Sequence, residues 1–325
     1  MKAILWTKYG PPDGLQLRNI EKPLPKDNEV LIKVHATTVT AGDCEMRGMN
    51  LPLLYRFFMR LYIGLRKPKR ITILGMELAG KIEEVGKDVE SFKKGDQVFA
   101  ALGFVNIGTN VEYTCLPVDS KETLIALKPA NISFEEAAAV PVGGLEALDF
   151  MGNGNVLKGQ KVLINGAGGT IGTFAVQLAK YFGAEVTGVD STEKLDMLHS
   201  IGIDHVIDYT QEDLASRDER FDVILDVVGN RPFSDFKKVL KKDGLLLLAN
   251  PKLSQGIRGH LSSIKFKTRT SSSKIEDLLF LRALLETGTI KSVIDRAFPL
   301  EQAVQAHQYV ETGQKKGHVI LTISH

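Results

Sequence analysis

A strand, a glycine-rich turn and a helix follow one another between residues 161 and 182, and this order constrains the fold more than any other feature. The apolar segment Lys-Val-Leu-Ile-Asn at 161–165 runs directly into Gly166, Gly168, Gly169 and Gly172. Glycines let a backbone approach an anion closely, and a following helix points free N–H groups and its positive dipole end at the same place. The pattern therefore predicts a parallel α/β unit that can hold a pyrophosphate at a helix N-terminus.

The spacing of this turn is Ala167-x-Gly169-x-x-Gly172, so alanine stands where the usual fingerprint has its first glycine. A second apolar segment, 185–189, ends in Asp190, about 20 residues on, where a dinucleotide-binding unit places an acid that reads a ribose. For the glycines alone, a tight turn that binds nothing is the alternative. The residues expected to line the dinucleotide are Gly166, Gly168, Gly169, Thr170, Ile171 and Gly172.

Composition narrows the class of protein. The 325 residues suggest two domains, and 43% hydrophobic with 25% charged residues is a globular composition with enough material for a core. A net charge of +2 gives no overall attraction to nucleic acid or to an acidic membrane. The two cysteines, Cys44 and Cys115, form no disulfide framework and point to a reducing compartment, so we expect a cytoplasmic protein. Residues 2–6 are strand-like, and we read no signal peptide before them.

The pattern of elements changes near residue 122. Before it, strand-like segments occur at 15–19, 29–37, 78–85, 96–99 and 111–116. After it, helices are predicted at 133–140, 145–153, 171–182, 192–201, 231–240 and 273–287. Strands are predicted between them at 161–165, 185–189, 205–208, 221–226, 244–248 and 264–268. From about 290, a strand, a helix (300–311) and a last strand (318–323) are expected to return to the first domain.

Residues 51–65 form an apolar segment that is too short to span a membrane and is interrupted by Arg56 and Arg60. As a helix it is amphipathic, and the face opposite the arginines carries Leu51, Leu54, Phe58, Leu61 and Leu65. A helix packed on its own domain is the first interpretation, and an entrance flap, a subunit contact or a membrane-surface helix are the others. The basic residues 66–70 that follow predict a solvated loop, because Pro68 breaks the helix.

Several further motifs identify a family. They are Gly-Met-Glu-Leu-Ala-Gly at 75–80, the turn-rich tract 85–98, Ala-Ala-Ala-Val-Pro at 137–141, the glycine turn, His-Val-Ile-Asp-Tyr at 205–209, and 313–321. Together they resemble the medium-chain dehydrogenase/reductase superfamily, and within it the zinc-independent quinone oxidoreductase branch. The resemblance covers nearly the whole chain. It implies an α/β fold: a GroES-like, mostly β domain (1–121 and 290–325) and a Rossmann dinucleotide-binding domain with a doubly wound parallel sheet (122–289). It also implies a homodimer.

The same resemblance bears on zinc. A catalytic zinc needs three protein ligands. Thr40 stands where zinc-bearing relatives have the first cysteine, Met76 replaces the histidine that precedes Glu77, and no cysteine lies near Pro141. A structural zinc site needs four clustered cysteines, and the chain has two. Cys44, beside Asp43, is interpreted as a small buried residue rather than a ligand. We therefore expect no metal site.

The family chemistry is hydride transfer from a nicotinamide dinucleotide to a small molecule. Without zinc to polarise a carbonyl, the compatible acceptors are a quinone or an α,β-unsaturated carbonyl, whose developing enolate needs only hydrogen-bond donors. Thr40 and Asp43 lie where the family has Asn-x-x-Asp near the nicotinamide, with Thr40 in place of the Asn, and they are the candidate catalytic residues. Asp43 is equally well read as a turn residue. The alternatives are a metal-free alcohol dehydrogenase or carbonyl reductase, and a cofactor-binding, membrane-associated interaction protein without stable membrane insertion.

The choice between NADP and NAD rests on the segment after the second strand. Asp190 accepts hydrogen bonds from ribose hydroxyls and repels a 2′-phosphate, which favours NAD. Ser191 and Lys194 offer a hydroxyl and an ammonium to a phosphate, and Tyr209 matches a family position at the 2′-phosphate. The family pattern decides for NADP, with NAD as the alternative. The other cofactor candidates, at the ends of later strands, are Val228, Gly229 and Asn250.

Overall fold

The computed structural model describes residues 1–104, 106–249, 264–268 and 274–325. The strands, in chain order, are β1 (Lys2–Trp6), β2 (Leu15–Asn19), β3 (Glu29–Val39), β4 (Glu77–Val85), β5 (Gln97–Leu102), β6 (Tyr113–Pro117), β7 (Thr123–Leu127), β8 (Lys161–Asn165), β9 (Glu185–Asp190), β10 (His205–Asp208), β11 (Phe221–Asp226), β12 (Leu240–Leu248), β13 (Lys265–Thr268), β14 (Ile294–Pro299) and β15 (His318–Thr322).

The helices, in chain order, are α1 (Ala41–Gly48), α2 (Leu53–Ile63), α3 (Phe134–Ala138), α4 (Pro141–Asn153), α5 (Thr170–Tyr181), α6 (Leu195–Ser200), α7 (Phe233–Val239), α8 (Ile275–Glu286) and α9 (Ala303–Glu311). The chain divides into two compact units. Unit 1 consists of Met1–Val142, Lys274–Arg282 and Val293–His325, and unit 2 of Gly143–Ser273 and Ala283–Ser292.

Unit 2 is built on a parallel sheet. Its strand order across the described residues is β10-β9-β8-β11-β12-β13, and each neighbouring pair is parallel. The order reverses between β8 and β11, which is the switch point where ligands bind in open α/β sheets. The doubly wound parallel sheet expected from the sequence is confirmed.

The core of unit 2 explains why its strands read as continuous apolar runs. Leu163, Ile224 and Leu246 are fully buried on three adjacent strands, and Phe236 of α7 packs in the same cluster. A parallel strand is covered on both faces, so successive residues are all apolar rather than alternating.

Unit 1 is built on a mostly antiparallel sheet with the order β14-β15-β3-β4-β5-β7, while β6 also pairs with β3. The long strand β3 pairs with β4, β6 and β15, so it organises the sheet. The C-terminal strand joins this sheet, with Val319 opposite Val39. Trp6, Ile32 and Leu78 are buried in its core.

Two elements of unit 1 are not predicted by the sequence pattern. Helix α1 has little apolar periodicity and contains Gly42, so its formation depends on a cap at Thr40 rather than on an apolar face. Strand β7 pairs with β5, with Val98 opposite Leu127. It follows a turn-rich segment, and its partner is distant in sequence. The local pattern is weak for both elements, because a cap alone does not predict a helix and the pairing that stabilises β7 is tertiary.

Helix α2 lies where the sequence predicts it, but its packing differs. Leu54, Phe58, Leu61 and Leu65, on the face expected to be buried, are exposed. The helix instead packs through Ile63, with Met59 and Tyr62 partly buried against the core. The helix therefore packs on its own domain, as the first interpretation has it, but through a different face from the one expected. Both sides of α2 are apolar, and periodicity alone does not choose between two apolar faces. Within the described residues, no helix has the length and apolarity needed to cross a bilayer.

Candidate cofactor-binding site

The shape of the glycine turn between β8 and α5 is set by its backbone conformation and by backbone hydrogen bonds. Gly166 has φ +86°, a left-handed conformation that side-chain-bearing residues adopt at a cost. Its N–H donates to the carbonyl oxygen of Val189 at 2.9 Å, and the N–H of Gly169 donates back to the oxygen of Gly166 at 3.2 Å. These bonds fold the chain into a tight turn at the carboxyl ends of β8 and β9.

Gly172 lies where the first turn of α5 meets this loop. A Cβ on Gly172 would fall 2.2 Å from the oxygen of Gly166 and 2.6 Å from that of Ala167. At Gly168, a Cβ would fall 2.7 Å from Cδ of Lys194 and 3.0 Å from Oδ2 of Asp190. The glycines therefore serve close packing as well as backbone freedom.

The start of α5 is suited to an anion. Gly169 is the N-cap, and among the described residues no side chain caps this end of the helix. The first turn of a helix leaves N–H groups without intrahelical acceptors, and here it consists of Thr170, Ile171 and Gly172. An uncapped helix start above a tight glycine turn, at the switch point of a parallel sheet, fits the pyrophosphate of a dinucleotide.

Asp190 sits at the end of β9, buried beside the glycine turn. Its Oδ2 accepts from the N–H of Gly168 at 2.7 Å, and its Oδ1 accepts from the N–H of Ser191 at 2.9 Å. The Nζ of Lys194, which is also buried, lies 3.1 Å from Oδ1. The sequence treats Asp190 and Lys194 as opposing determinants of the coenzyme, but the structure brings them together as one ion pair.

A second acidic residue, Asp208, lies at the end of β10 next to Tyr209. Its carboxylate accepts hydrogen bonds from the hydroxyls of Thr192 and Thr210, and these bonds lower the pKa of Asp208. The N–H of Tyr209 donates to the backbone oxygen of Asp190 at 3.2 Å, and the Tyr209 side chain is about half exposed. Asp190, Lys194 and Tyr209 thus gather at the ends of β9 and β10.

The end of β11 contributes a residue that the sequence analysis missed. Asp226 is buried, and its Oδ1 accepts from the N–H groups of Val228 at 3.2 Å and Gly229 at 3.0 Å, and from Nδ2 of Asn165 at 2.8 Å. Its Oδ2 is buried without a hydrogen-bond partner among the described residues. Asp226 orders Val228 and Gly229 beside the glycine turn, where Val228 would contact a Cβ on Gly166.

A buried Asp at the end of a continuous apolar strand is the sequence signal that would have identified Asp226, since an unpaired acid is costly in such a place. The remaining predicted cofactor residue, Asn250, lies outside the described residues. All the other predicted cofactor residues belong to unit 2 and surround the carboxyl ends of β8, β9, β10 and β11.

The two candidate catalytic residues lie together in unit 1, at the start of α1. Thr40 is the N-cap: its Oγ1 accepts from the N–H of Asp43 at 3.1 Å, and Oδ2 of Asp43 accepts from the N–H of Thr40 at 2.9 Å. The Thr40 hydroxyl donates to the same Oδ2 at 2.7 Å. Oδ1 of Asp43 accepts from the N–H of Gly75 at 3.2 Å. This arrangement is a capping box that ties α1 to the segment before β4.

Burial raises the pKa of Asp43, and the hydrogen bonds from Thr40 and Gly75 oppose that change. Glu77, also fully buried, was not singled out from the sequence. Its Oε1 accepts from the Thr38 hydroxyl at 2.5 Å and its Oε2 from the N–H of Val142 at 2.7 Å. A glutamate at the start of an apolar strand is the signal that would have identified it.

The side chains at the zinc position of the predicted family do not fit that metal. The Thr40 hydroxyl is engaged by Asp43, and Met76 supplies a thioether in place of an imidazole. Cys44 lies against His307, with Sγ 3.4 Å from Nδ1, and burial raises the pKa of its thiol to about 12. Across the described residues, no group of three or more His, Cys, Asp and Glu side chains is arranged to hold a metal ion.

Comparison with known proteins covers the whole chain. The family profile "Alcohol dehydrogenase GroES-like domain" matches residues 26–145, and "Zinc-binding dehydrogenase" matches 201–321. A 2-methylene-furan-3-one reductase of Solanum lycopersicum is 33% identical over 99% of this chain and 79% of its own length. An NADPH-dependent alkenal/one oxidoreductase of Arabidopsis thaliana, chloroplastic, is 31% identical over the same shares of the two chains. The structure of a Coxiella burnetii quinone oxidoreductase matches with a TM-score of 0.86 at 29% identity, over 100% of this chain and 99% of that one.

Proposed function

This chain belongs to the medium-chain dehydrogenase/reductase superfamily, and on that premise we propose that it is a zinc-independent oxidoreductase that transfers hydride from NADPH to a quinone or an α,β-unsaturated carbonyl. The observation that carries the proposal is the uncapped start of α5, which Gly172 allows to lie against the turn at Gly166. The names of the relatives agree with it, since they act on alkenals, enones and quinones.

Unit 2 supplies the groups that hold the coenzyme. The N–H groups of the first turn of α5, from Thr170 to Gly172, face the position of the pyrophosphate, where the helix dipole favours negative charge. Lys194, Ser191 and Tyr209 lie together at the ends of β9 and β10 and would hold the 2′-phosphate that distinguishes NADP from NAD. Lys194 also compensates the charge of Asp190, which would otherwise repel that phosphate.

The bound nicotinamide supplies the hydride. The protein must then stabilise the charge that develops on the acceptor oxygen, and hydrogen-bond donors suffice when the acceptor is a quinone or an enone. Thr40 and Asp43 remain our candidate catalytic residues, on the strength of the family resemblance. To donate to the acceptor oxygen, the Thr40 hydroxyl would have to turn away from Oδ2 of Asp43. Metal is not needed in this scheme, because the acceptor is already activated by conjugation.

Three broader features complete the proposal. Residues 1–121 with 290–325 act as the substrate domain, and 122–289 act as the coenzyme domain. The enzyme is a cytoplasmic homodimer. The low cysteine content supports the reducing compartment, and the family resemblance supports the dimer. Light scattering on the purified protein measures the oligomeric state directly.

The test is coenzyme oxidation with three acceptors: a naphthoquinone, a simple enone and a saturated aldehyde. We expect turnover of NADPH with the first two. Turnover of the saturated aldehyde alone would instead indicate a carbonyl reductase. Titration of the protein with NADPH, followed by fluorescence and thermal melting, measures binding separately from chemistry. If NADPH produced neither a fluorescence change nor thermal stabilisation, the proposal would be overturned. Stoichiometric zinc in freshly purified protein would contradict its metal-free part.

A further inference from the structure

Helix α2 presents an apolar surface that unit 1 does not cover. The core contacts only one side of it, through Met59, Tyr62 and Ile63. At about 3.6 residues per turn, the opposite side gathers Leu53, Leu54, Phe57, Phe58 and Leu61 in one arc. Together with Leu65, these side chains are between 58% and 74% exposed. Contiguous exposed apolar patches on a folded protein mark sites of interaction.

The segment that carries this arc has charges of one sign. No acidic residue occurs between Glu45 and Glu77, while Arg56, Arg66, Lys67, Lys69 and Arg70 are all exposed. None of these five cations forms an ion pair with a carboxylate in the described part of the chain. The partner of this surface must therefore be apolar in its interior and anionic at its edge.

The basic segment after α2 is fixed beside the helix rather than free to swing away. Gly64 ends the helix with φ +148°, and a Cβ there would fall 2.2 Å from the oxygen of Lys67. The N–H groups of Lys69 and Arg70 both donate to the oxygen of Ile63 at 3.0 Å. The Arg70 guanidinium lies 4.1 Å from the centre of the Tyr62 ring. The basic segment is thus held against the C-terminal end of α2, next to the exposed arc in the chain, and we refer to residues 53–70 as the α2 surface.

These observations point to one class of partner. A symmetric contact with a second copy would bring two α2 surfaces together and place their cations against each other. A helix is convex and offers no groove for an acidic peptide, whereas lipid conforms to a convex shape. We infer that the α2 surface docks reversibly on an anionic phospholipid bilayer, with α2 lying in the plane of the interface. An 11-residue helix is about 16 Å long, much shorter than the ~30 Å hydrocarbon core, so α2 does not span it.

In this arrangement the outward leucines and phenylalanines enter the boundary between headgroups and acyl chains. The arginines and lysines at 66–70 reach the anionic headgroups, because long basic side chains extend their charge to the polar layer. Binding would then depend on both parts: it would weaken with salt, which screens the cations, and with any charge placed on the apolar arc. The inference does not depend on the proposed enzymatic activity.

The experiment is co-sedimentation of the full chain with vesicles, at low and high salt. One set is phosphatidylcholine alone, and the other is equal parts phosphatidylcholine and phosphatidylglycerol. We expect sedimentation with the anionic vesicles at low salt and much less with the neutral ones. Phe57→Glu/Phe58→Glu should abolish it, and Arg66→Gln/Lys67→Gln/Lys69→Gln should lower the affinity by at least about tenfold.

Matched controls carry the same chemical changes elsewhere. Leu24→Glu/Leu157→Glu alters two exposed leucines, and Lys237→Gln/Lys238→Gln/Lys242→Gln removes three exposed cations. Both should bind as the unaltered chain does. The substituted side chains are exposed, so thermal melting should give similar midpoints for all variants.

Three results would overturn the inference. The first is no sedimentation with anionic vesicles at low salt. The second is a loss of sedimentation when the cations are removed, with no loss in Phe57→Glu/Phe58→Glu. That result would mean that the basic residues adsorb to the vesicles without the apolar arc. The third is an oligomer, seen by light scattering, that Phe57→Glu/Phe58→Glu dissociates while vesicles are not bound, which assigns the α2 surface to a second copy.

Discussion

Lys194 and Asp190 form a buried ion pair, with Nζ 3.1 Å from Oδ1, at the point where β9 ends beside the glycine turn. The carboxylate is also held by the N–H groups of Gly168 and Ser191. An acid at this position is usually read as a sign of NAD, because it repels a 2′-phosphate. Its charge is compensated here, so we expect coenzyme preference to depend on the pair rather than on Asp190 alone.

Lys194→Gln tests that relationship. With the cation gone, Asp190 faces an incoming 2′-phosphate uncompensated, so KM for NADPH should rise by about tenfold or more, which is ~1.4 kcal/mol of binding. KM for NADH should change much less, since NADH carries no such phosphate. Steady-state kinetics with both coenzymes measure this. Lys180→Gln, which breaks the ion pair with Asp204 elsewhere in unit 2, should affect neither. An equal rise in KM for both coenzymes would mean that Lys194 has only a structural role.

Gly172→Ala should disable the coenzyme site. Its new Cβ would fall 2.2 Å from the oxygen of Gly166, so the turn or the start of α5 must shift. We expect NADPH binding to weaken by at least about tenfold and the free energy of unfolding to fall by ~1–3 kcal/mol. Isothermal titration and urea unfolding give the two quantities. In the matched change Gly152→Ala in α4, the new Cβ would have no atom within 4 Å apart from its chain neighbours and the nearby backbone of its own helix. This change should leave binding unchanged and stabilise the chain slightly. Normal NADPH affinity in Gly172→Ala would mean that the glycine turn is not part of the coenzyme site.

Thr40→Ala separates capping from catalysis. Loss of the N-cap hydroxyl of α1 should lower the free energy of unfolding by about 1 kcal/mol. If the hydroxyl also serves the reaction, kcat should fall by at least about tenfold, and Thr40→Ser should restore both quantities. The chain contains a second capping box, at Ser133 and Glu136 of α3. Ser133→Ala should cost similar stability at unchanged kcat. A Thr40→Ala enzyme with unchanged kcat would leave Thr40 a purely structural residue.

Two buried histidines should make the fold sensitive to acid. Burial lowers the pKa of His307 and of His318 to about 3, from an ordinary value of 6.5. Between these values the unfolded chain binds more protons than the folded one, so the free energy of unfolding falls as pH drops from 6.5 towards 3. The stabilising contribution is fully present above pH 6.5 and is lost progressively as the pH falls below it.

His307→Gln should make this dependence shallower, as measured by urea unfolding at a series of pH values. The exposed His199→Gln serves as the control and should keep the slope of the unaltered chain. The slope is compared rather than the absolute stability, because the substitution also changes packing around Cys44. An unchanged slope in His307→Gln would mean that His307 is not buried as described.

The parallel sheet and the coenzyme turn could be predicted because their signals are local. An apolar strand, Gly166 to Gly172 and a helix follow one another directly, and β8, β11 and β12 each contain an unbroken apolar run. Helix α1 and strand β7 could not be predicted in this way. Helix α1 depends on the Thr40–Asp43 cap, a local signal that is too weak alone to predict a helix, and β7 depends on pairing with β5, which is distant in the chain.

The functional residues also divide into those with a local sequence signal and those that depend on long-range contacts. Sequence alone determined the glycine turn, the family and the residue types at the ends of the strands. Only the tertiary structure showed that Lys194 neutralises Asp190, that Asp226 orders the β11 turn, and that α2 turns its leucines and phenylalanines outward. A local pattern encodes which residues share a face, since that follows from backbone geometry. Which of two apolar faces is buried, and which charge meets which, is decided by contacts between segments that are distant in the chain.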